Sequence, residues 1–418
     1  MDLPPICVKI LKLDSGLRTP DSGQQNMRIL QIIPSISLVY GGPSQMVMGL
    51  SKALAAEGID VTILTTDSNG DVGQPPLDVP LEQPVEQDGY RVIYFRCSPF
   101  RRYKFSLNLL RWLAGHAEEF DLAHIHALFS PVSSAAATIA RYKHLPYLLR
   151  PLGTLDPADL RKKKQLKQIY AALLERPNLA SAAGIHFTST QEAKISERFG
   201  TSPPDVVIPL GVQPPIILPK DQARTQLGIP PERALILFLS RIDPKKGLNL
   251  LIPALEKLLA EGLDFHFVLA GSNPQDPDYE NKIRQELERS PLGKRTTITG
   301  FVAGEFKASL LQDADLFVLP SYYENFGIAV AEAMSYGTPV VISEGVYIWE
   351  EVKQAEAGWV CASEVNALTS ALQEALRDEE ERLRRGLNAR EHALKNYSWS
   401  AIARQTIAAY EQILARQK

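Results

Sequence analysis

An α/β protein made of two doubly wound, parallel sheets is predicted by three features of the 418-residue chain. Short apolar runs alternate with stretches of helical periodicity over most of its length, the pattern that βαβ units leave in a sequence. A proline-rich, non-periodic segment, Pro209-Leu210-Gly211-Val212-Gln213-Pro214-Pro215-Ile216-Ile217-Leu218-Pro219, interrupts the alternation near the middle and suits a linker. The length leaves each half roughly 200 residues, enough for a core of its own.

Taken in order, residues 1–26 are polar and punctuated by Gly and Pro, and are expected to form a loosely ordered tail. A first strand is placed at 27–33 and a helix at 43–57, where Met46, Leu50 and Leu54 recur at four-residue steps. A strand at 60–65 precedes a Pro/Gly-rich insertion that reaches Gly89. Further strands are expected at 91–95, 122–126, 146–150, 184–188 and 206–209, most of them separated by helical stretches. A second alternating series follows the linker, with strands at 235–240, 265–270, 296–299, 316–319, 340–342 and 358–361. Two helices close the chain, one at about 365–395 with a possible break and one at 400–416. The resulting division is an N-terminal domain over 27–209 with the last helix packed back on it, a linker at 210–220, and a C-terminal domain over 221–399.

Composition excludes several classes of function. A formal net charge of −3 lacks the basic excess on which nucleic-acid affinity rests. Three scattered cysteines, Cys7, Cys97 and Cys361, have neither metal spacing nor an even count, which fits a reducing compartment. No apolar run reaches the roughly 18 residues of a membrane span, and the N-terminus lacks an apolar signal-peptide region. A cytoplasmic protein is expected, free or peripheral at the inner face of the membrane.

The chemistry concentrates in 319–342, a strand, a loop with Glu324, and a small-residue helix that opens near Gly327, carries Glu332 and stops at Gly337. A helix N-terminus with free N–H groups is a site for an anion. Carboxylates accept hydrogen bonds from sugar hydroxyls, so Glu324 and Glu332 can hold two hydroxyl-bearing rings on either side of a phosphate. That describes a nucleotide sugar. The strand at 235–240 runs into Arg241-Ile242-Asp243-Pro244-Lys245-Lys246-Gly247, which places Arg241 at the strand end where open α/β sheets bind ligands.

Glu-x7-Glu followed by Ala333-Met334-Ser335-Tyr336-Gly337-Thr338-Pro339-Val340-Val341 resembles the signature of glycosyltransferase family 4, the retaining, nucleotide-sugar-dependent transferases of GT-B fold. The resemblance covers 27–418 and implies two Rossmann-like domains facing across a cleft, with the donor held mostly by the second. It implies a hexosyltransferase that moves sugar from a UDP- or GDP-linked donor to a saccharide or lipid-linked saccharide, as in surface polysaccharide or glycolipid assembly. Arg241 and Lys246 match the diphosphate clamp, with Lys245 as a solvated neighbour. Gly300, Phe301 and Val302 match the segment that meets the base. Glu324, Asn325, Phe326, Gly327, Ile328 and Glu332 complete the donor site, with Glu324 on the sugar and Glu332 on the ribose. Gly41 and Gly42 lie where the family has its N-domain glycines, beside Tyr40 as a sugar contact. His126 falls at the position of a site histidine, with His124 supporting it. Catalytic roles go to His126, Glu324, Arg241 and Lys246. Leu210 stands where the family has Asn, a departure that bears on the acceptor.

Fixed cations aimed at the departing diphosphate make a metal unnecessary, so no cofactor is expected. Asp313-Ala314-Asp315 resembles a metal-binding DxD but precedes its strand, away from the ligand end, and reads as a solvated loop. Basic runs at Arg161-Lys162-Lys163-Lys164 with Lys167, and at Arg101-Arg102 with Lys104, suit either a solvated face or an anionic membrane surface. Arg161, Lys164 and Lys167 would face outward, and Leu166, Ile169 and Leu173 inward onto the domain. The rival functions are a nucleotide-sugar epimerase of similar shape and a non-catalytic nucleotide-sugar binder.

Overall fold

Strands rich in Val, Ile and Leu that are buried on both faces demand helices above and below, and two such sheets form. The computed structural model describes residues 27–70, 74–98, 104–161 and 164–417. The expected tail, Arg101, Arg102, Lys162 and Lys163 lie outside the described residues. One unit runs to Gly211 and includes Trp399–Lys418, and the other is Val212–Ser398.

The first unit carries β1 (Arg28–Ile32), β2 (Asp60–Thr66), β3 (Pro84–Gln87), β4 (Tyr90–Phe95), β5 (Leu122–His126), β6 (Tyr147–Arg150), β7 (Gly184–Phe187) and β8 (Asp205–Val207). Their order is β3-β4-β2-β1-β5-β6-β7-β8, parallel except for the β3–β4 pair. β3 falls inside the stretch expected to be an irregular insertion. Its four residues, PVEQ, begin with a proline and lack an apolar alternation, so only pairing with β4 defines it as an edge strand. One face of the sheet packs Leu30, Ile125 and Leu149 against helices Leu107–His116 and Pro131–Tyr142. The other packs Ile29, Ile63 and Leu148 against helix Gly42–Ala56 and against Ile402, Tyr410 and Ile413 of the last helix, Trp399–Ala415.

The second unit carries β9 (Ala234–Leu239), β10 (Phe265–Ala270), β11 (Thr296–Gly300), β12 (Leu316–Leu319), β13 (Val340–Ser343) and β14 (Gly358–Cys361), all parallel in the order β11-β10-β9-β12-β13-β14. The expected long helix is two, Val365–Arg377 and Glu379–Asn396, broken at Asp378, whose side chain accepts from Glu381 N and caps the second.

The chain passes between units at 211/212 and again at 398/399, and there Val212 N donates to Tyr397 O at 2.8 Å. Trp399 then lies between Gly49 and Gly211, and a Cβ on either glycine would enter the indole ring. Gly211→Ala is expected to cost about 1–3 kcal/mol, the usual penalty of overpacking, read as a fall in the urea midpoint with an unchanged slope. An unchanged midpoint would show that Trp399 moves aside freely.

Candidate active site

Asp243 caps the turn that follows β9 by accepting from Lys245 N at 3.0 Å, and Gly247 closes the turn at φ 74°. A Cβ there would collide with the carbonyl of Pro320, so the turn rests on the end of β12, the next strand. Tyr322 N donates to Lys245 O at 2.8 Å and fastens the two loops together. That closeness brings Lys246 to Glu324, and the two form an ion pair with side chains only 10% and 21% exposed. Glu324 is fixed through its backbone as well, since its N–H donates to Gly345 O at 2.8 Å and its carbonyl accepts from Tyr347 N at 2.9 Å.

Arg241 remains exposed, with Nη1 donating to Gln275 Oε1 at 3.3 Å. Lys245 is not the solvated neighbour expected. Its ammonium lies 5.2 Å from the centre of the Tyr323 ring, and burial holds its pKa below the usual lysine value despite nearby Glu324. Helix Ile328–Tyr336 starts after Gly327 at φ 76° with no side-chain cap, leaving its first N–H groups without one. Phe326, 2% exposed, anchors that opening edge-on against Tyr397. One turn in, Glu332 Oε1 accepts from Lys307 Nζ at 2.7 Å. Lys307 was missed in the sequence because a lone lysine on helix Gly304–Asp313 shows no pattern of its own. Gly300 ends β11, and Phe301 beyond it is 79% exposed, a flat apolar face open to a stacking partner.

Asp313 and Asp315 are not a solvated loop. Asp313 accepts from Asp221 N at 3.1 Å and Ala223 N at 2.7 Å, and Asp315 accepts from Arg224 Nη2 at 2.5 Å and Leu235 N at 2.7 Å. Asp313 thus caps the start of helix Gln222–Leu227, and Asp315 fastens that helix to the start of β9, each taking up backbone N–H groups that would otherwise lack a partner.

In the first unit, helix Gly42–Ala56 begins after Gly41 at φ 70°, again without a side-chain cap, and no atom stands within 4 Å of a Cβ position on Gly41 or Gly42. Tyr40 is held by the protein itself. Its hydroxyl contacts Ser68 Oγ and donates to Gly70 O, both at 2.9 Å, and Lys104 Nζ sits 3.7 Å from its ring centre.

His124 and His126 are fully buried rather than open at the strand end. His186 Nε2 lies 2.9 Å from Ile208 O, an acceptor only, so it carries the proton and leaves Nδ1 to accept from His124 Nε2 at 3.1 Å. His124 Nδ1 then accepts from the Tyr410 hydroxyl at 2.8 Å, whose oxygen accepts from Gln31 Nε2 at 3.1 Å. Gln31 Oε1 in turn accepts from His126 Nε2 at 2.7 Å. Every tautomer in the chain follows from its end, and His126 presents a bare, buried Nδ1 lone pair. Burial, joined by neighbouring rings and Arg150, lowers the pKa of His124 and His126 well below 6.5 and that of His186 to about 3.

Two of the residues expected to face inward onto the domain do not, while Arg161 is exposed as expected. Ile169 and Leu173 are 61% and 71% exposed, and from Ala171 to Glu175 the chain follows a π-helix that carries buried Glu175 inward, where it accepts from Ser134 Oγ and Phe129 N. Among the described residues no helix is long and apolar enough to cross a membrane.

Residues 41–211 match the family described as a glycosyl transferase 4-like domain, and residues 219–392 match glycosyl transferases group 1. The chain is 27% identical over 405 residues to a D-inositol 3-phosphate glycosyltransferase of a Nocardioides species, covering 90% of this chain and 86% of that one. It is 25% identical over 420 residues to the phosphatidyl-myo-inositol mannosyltransferase of Mycolicibacterium smegmatis, covering 93% and 94%. Among solved structures it resembles sucrose-phosphate synthase from Thermosynechococcus elongatus, with a TM-score of 0.73 at 25% identity over 94% of this chain and all of that one.

Proposed function

Because this chain belongs to glycosyltransferase family 4 and has the GT-B fold, we propose that it transfers a hexosyl group from a UDP- or GDP-linked donor to a saccharide or lipid-linked saccharide, with retention and without a metal. The observation that carries this reading is the buried Lys246–Glu324 pair beside the uncapped opening of helix Ile328–Tyr336, with exposed Arg241 on the same strand-end side of the sheet. Arg241 and Lys246 hold the diphosphate and meet the charge that grows on it as the anomeric carbon–oxygen bond breaks. Glu324 orients the sugar, and Glu332 the ribose. Attack comes from the same face, and the departing phosphate oxygen takes the proton of the acceptor hydroxyl. The engagement of Asp313 and Asp315 by backbone amides and Arg224 supports metal-free catalysis, since neither carboxylate is idle.

Incubation with a panel of UDP- and GDP-sugars, following nucleoside diphosphate release and the anomeric configuration of the product, tests the reading. Turnover should persist in EDTA with an α-linked product from an α-linked donor. Loss of activity in chelator, restored by Mg²⁺ or Mn²⁺, would remove metal independence, and an inverted product would remove retention.

Peripheral membrane contact is part of the same proposal, favoured by exposed Ile169 and Leu173 beside the basic run. The protein should float with anionic vesicles at low salt, and replacing both apolar residues by serine, or Lys162, Lys163 and Lys164 by glutamine, should keep it in the soluble fraction. Equal flotation of all three proteins would remove this face as the membrane contact, and failure of the natural protein to float would leave the acceptor without a membrane requirement.

A further inference from the structure

Arg150 ends β6 at 4% exposure, yet among the described residues its guanidinium makes no hydrogen bond or ion pair, and its buried Nε has no partner. Natural cores rarely tolerate an unpaired buried cation, because desolvation opposes the charge; here burial draws the pKa down to about 10. Glu192, which acts on it electrostatically, spends Oε2 on Thr188 N and Oγ1, each at 2.7 Å, and burial raises its own pKa. Arg150 and His126 are register partners across β5 and β6, so their side chains leave the same face side by side at the ligand-binding ends of the strands. The pair therefore offers an unmatched cationic fork next to the unmatched Nδ1 acceptor of His126. Both following loops carry non-glycine residues in the left-handed region, Ala127 at φ 68° and Leu152 at φ 56°, and such strain gathers at binding sites.

We propose that Arg150 and His126 form an oxyanion subsite for the phosphate of a phosphorylated acceptor. Arg150 donates to the phosphate oxygens, while His126 Nδ1 accepts from a hydroxyl on or beside the phosphate. The inference rests on the transferase reading and narrows it, naming the acceptor as a phosphate ester whether the ester is a free sugar phosphate or a lipid headgroup.

The test uses the full-length protein saturated with UDP or GDP, so that the donor diphosphate site is filled. Inorganic phosphate and a hexose 6-phosphate are titrated by calorimetry, and phosphatidylglycerol vesicles by flotation. Phosphate binding should survive nucleotide saturation, fall at least tenfold in Arg150→Gln, and fall less in Arg150→Lys, with nucleotide affinity unchanged in both. Arg150→Gln should also raise the melting temperature, since it removes an unpaired buried charge. Hexose phosphate binding that depends on Arg150 identifies a soluble acceptor, and vesicle binding that depends on it identifies a lipid one. Phosphate that binds only when nucleotide is absent, or as well to Arg150→Gln, overturns the subsite. A melting temperature that falls while phosphate binding stays constant shows a structural arginine instead. Failure of any nucleotide to bind would sink the transferase reading separately, since the loss of phosphate affinity in Arg150→Gln can still be measured on the nucleotide-free protein.

Discussion

Lys246→Met should lower kcat/KM for transfer by about 10²–10³, the scale of removing one preorganised charge from a developing anion. It should also lower stability by about 3–5 kcal/mol, because Glu324 is left as an unpaired, mostly buried carboxylate. The two losses have different causes and separate in the double variant. Lys246→Met with Glu324→Gln removes both charges, so the urea midpoint should recover most of its fall while turnover stays lost. Recovery of turnover with stability would show that the pair only holds two loops together. No recovery of either would point to lost packing of the lysine stem, which is only 10% exposed.

The second large effect is acid sensitivity of the first unit. Three rings, His124, His126 and His186, have folded pKa values held below about 6.5, so as pH falls the unfolded chain takes up protons before the folded one does. Their contribution is intact above about pH 6.5 and is lost below it, at about 1.4 kcal/mol per pH unit for each ring. From pH 7.5 to 5.5 the three together should cost about 4 kcal/mol. Buried Glu175 and Glu192, whose pKa values are raised, bind protons more readily when folded and oppose this at lower pH. Comparing urea midpoints across that range in the natural protein and in His186→Asn isolates the rings, since the variant should show about two thirds of the slope. Parallel slopes would mean that His186 takes up its proton as readily in the folded protein as in the unfolded chain.

Much of the fold was legible because its strands are buried on both faces and therefore read as unbroken apolar runs, from 235–240 to 340–342. Glu324 and Glu332 were legible for a local reason, since strand, loop and helix N-terminus lie within one short stretch. What escaped was non-local. Gln31 meets Tyr410 across 379 positions, and nothing near either residue announces the other. Periodicity showed that Ile169 and Leu173 share a helical face but not whether that face is covered, which is settled only by the neighbours it finds. The same holds for Asp313 and Asp315, whose partners Ala223 and Arg224 sit some 90 residues earlier. Arg150 carried a usable signal that went unread, a charged residue closing an otherwise apolar strand.

The return of the chain to its first unit at Trp399 sets the order in which the protein can be made. Ile402, Ala403, Ala409, Tyr410 and Ile413 complete a core whose other buried members lie before Gly211, so that core stays open while residues 212–398 are synthesised. At about 5–20 residues per second the wait is roughly 10–40 s, long compared with the folding of the second unit. During that interval the nascent chain exposes the apolar face of its first sheet and lacks the hydroxyl that orders Gln31 and His124. A released chain ending at Ser398 should therefore display a folded second unit attached to a chaperone-bound first one.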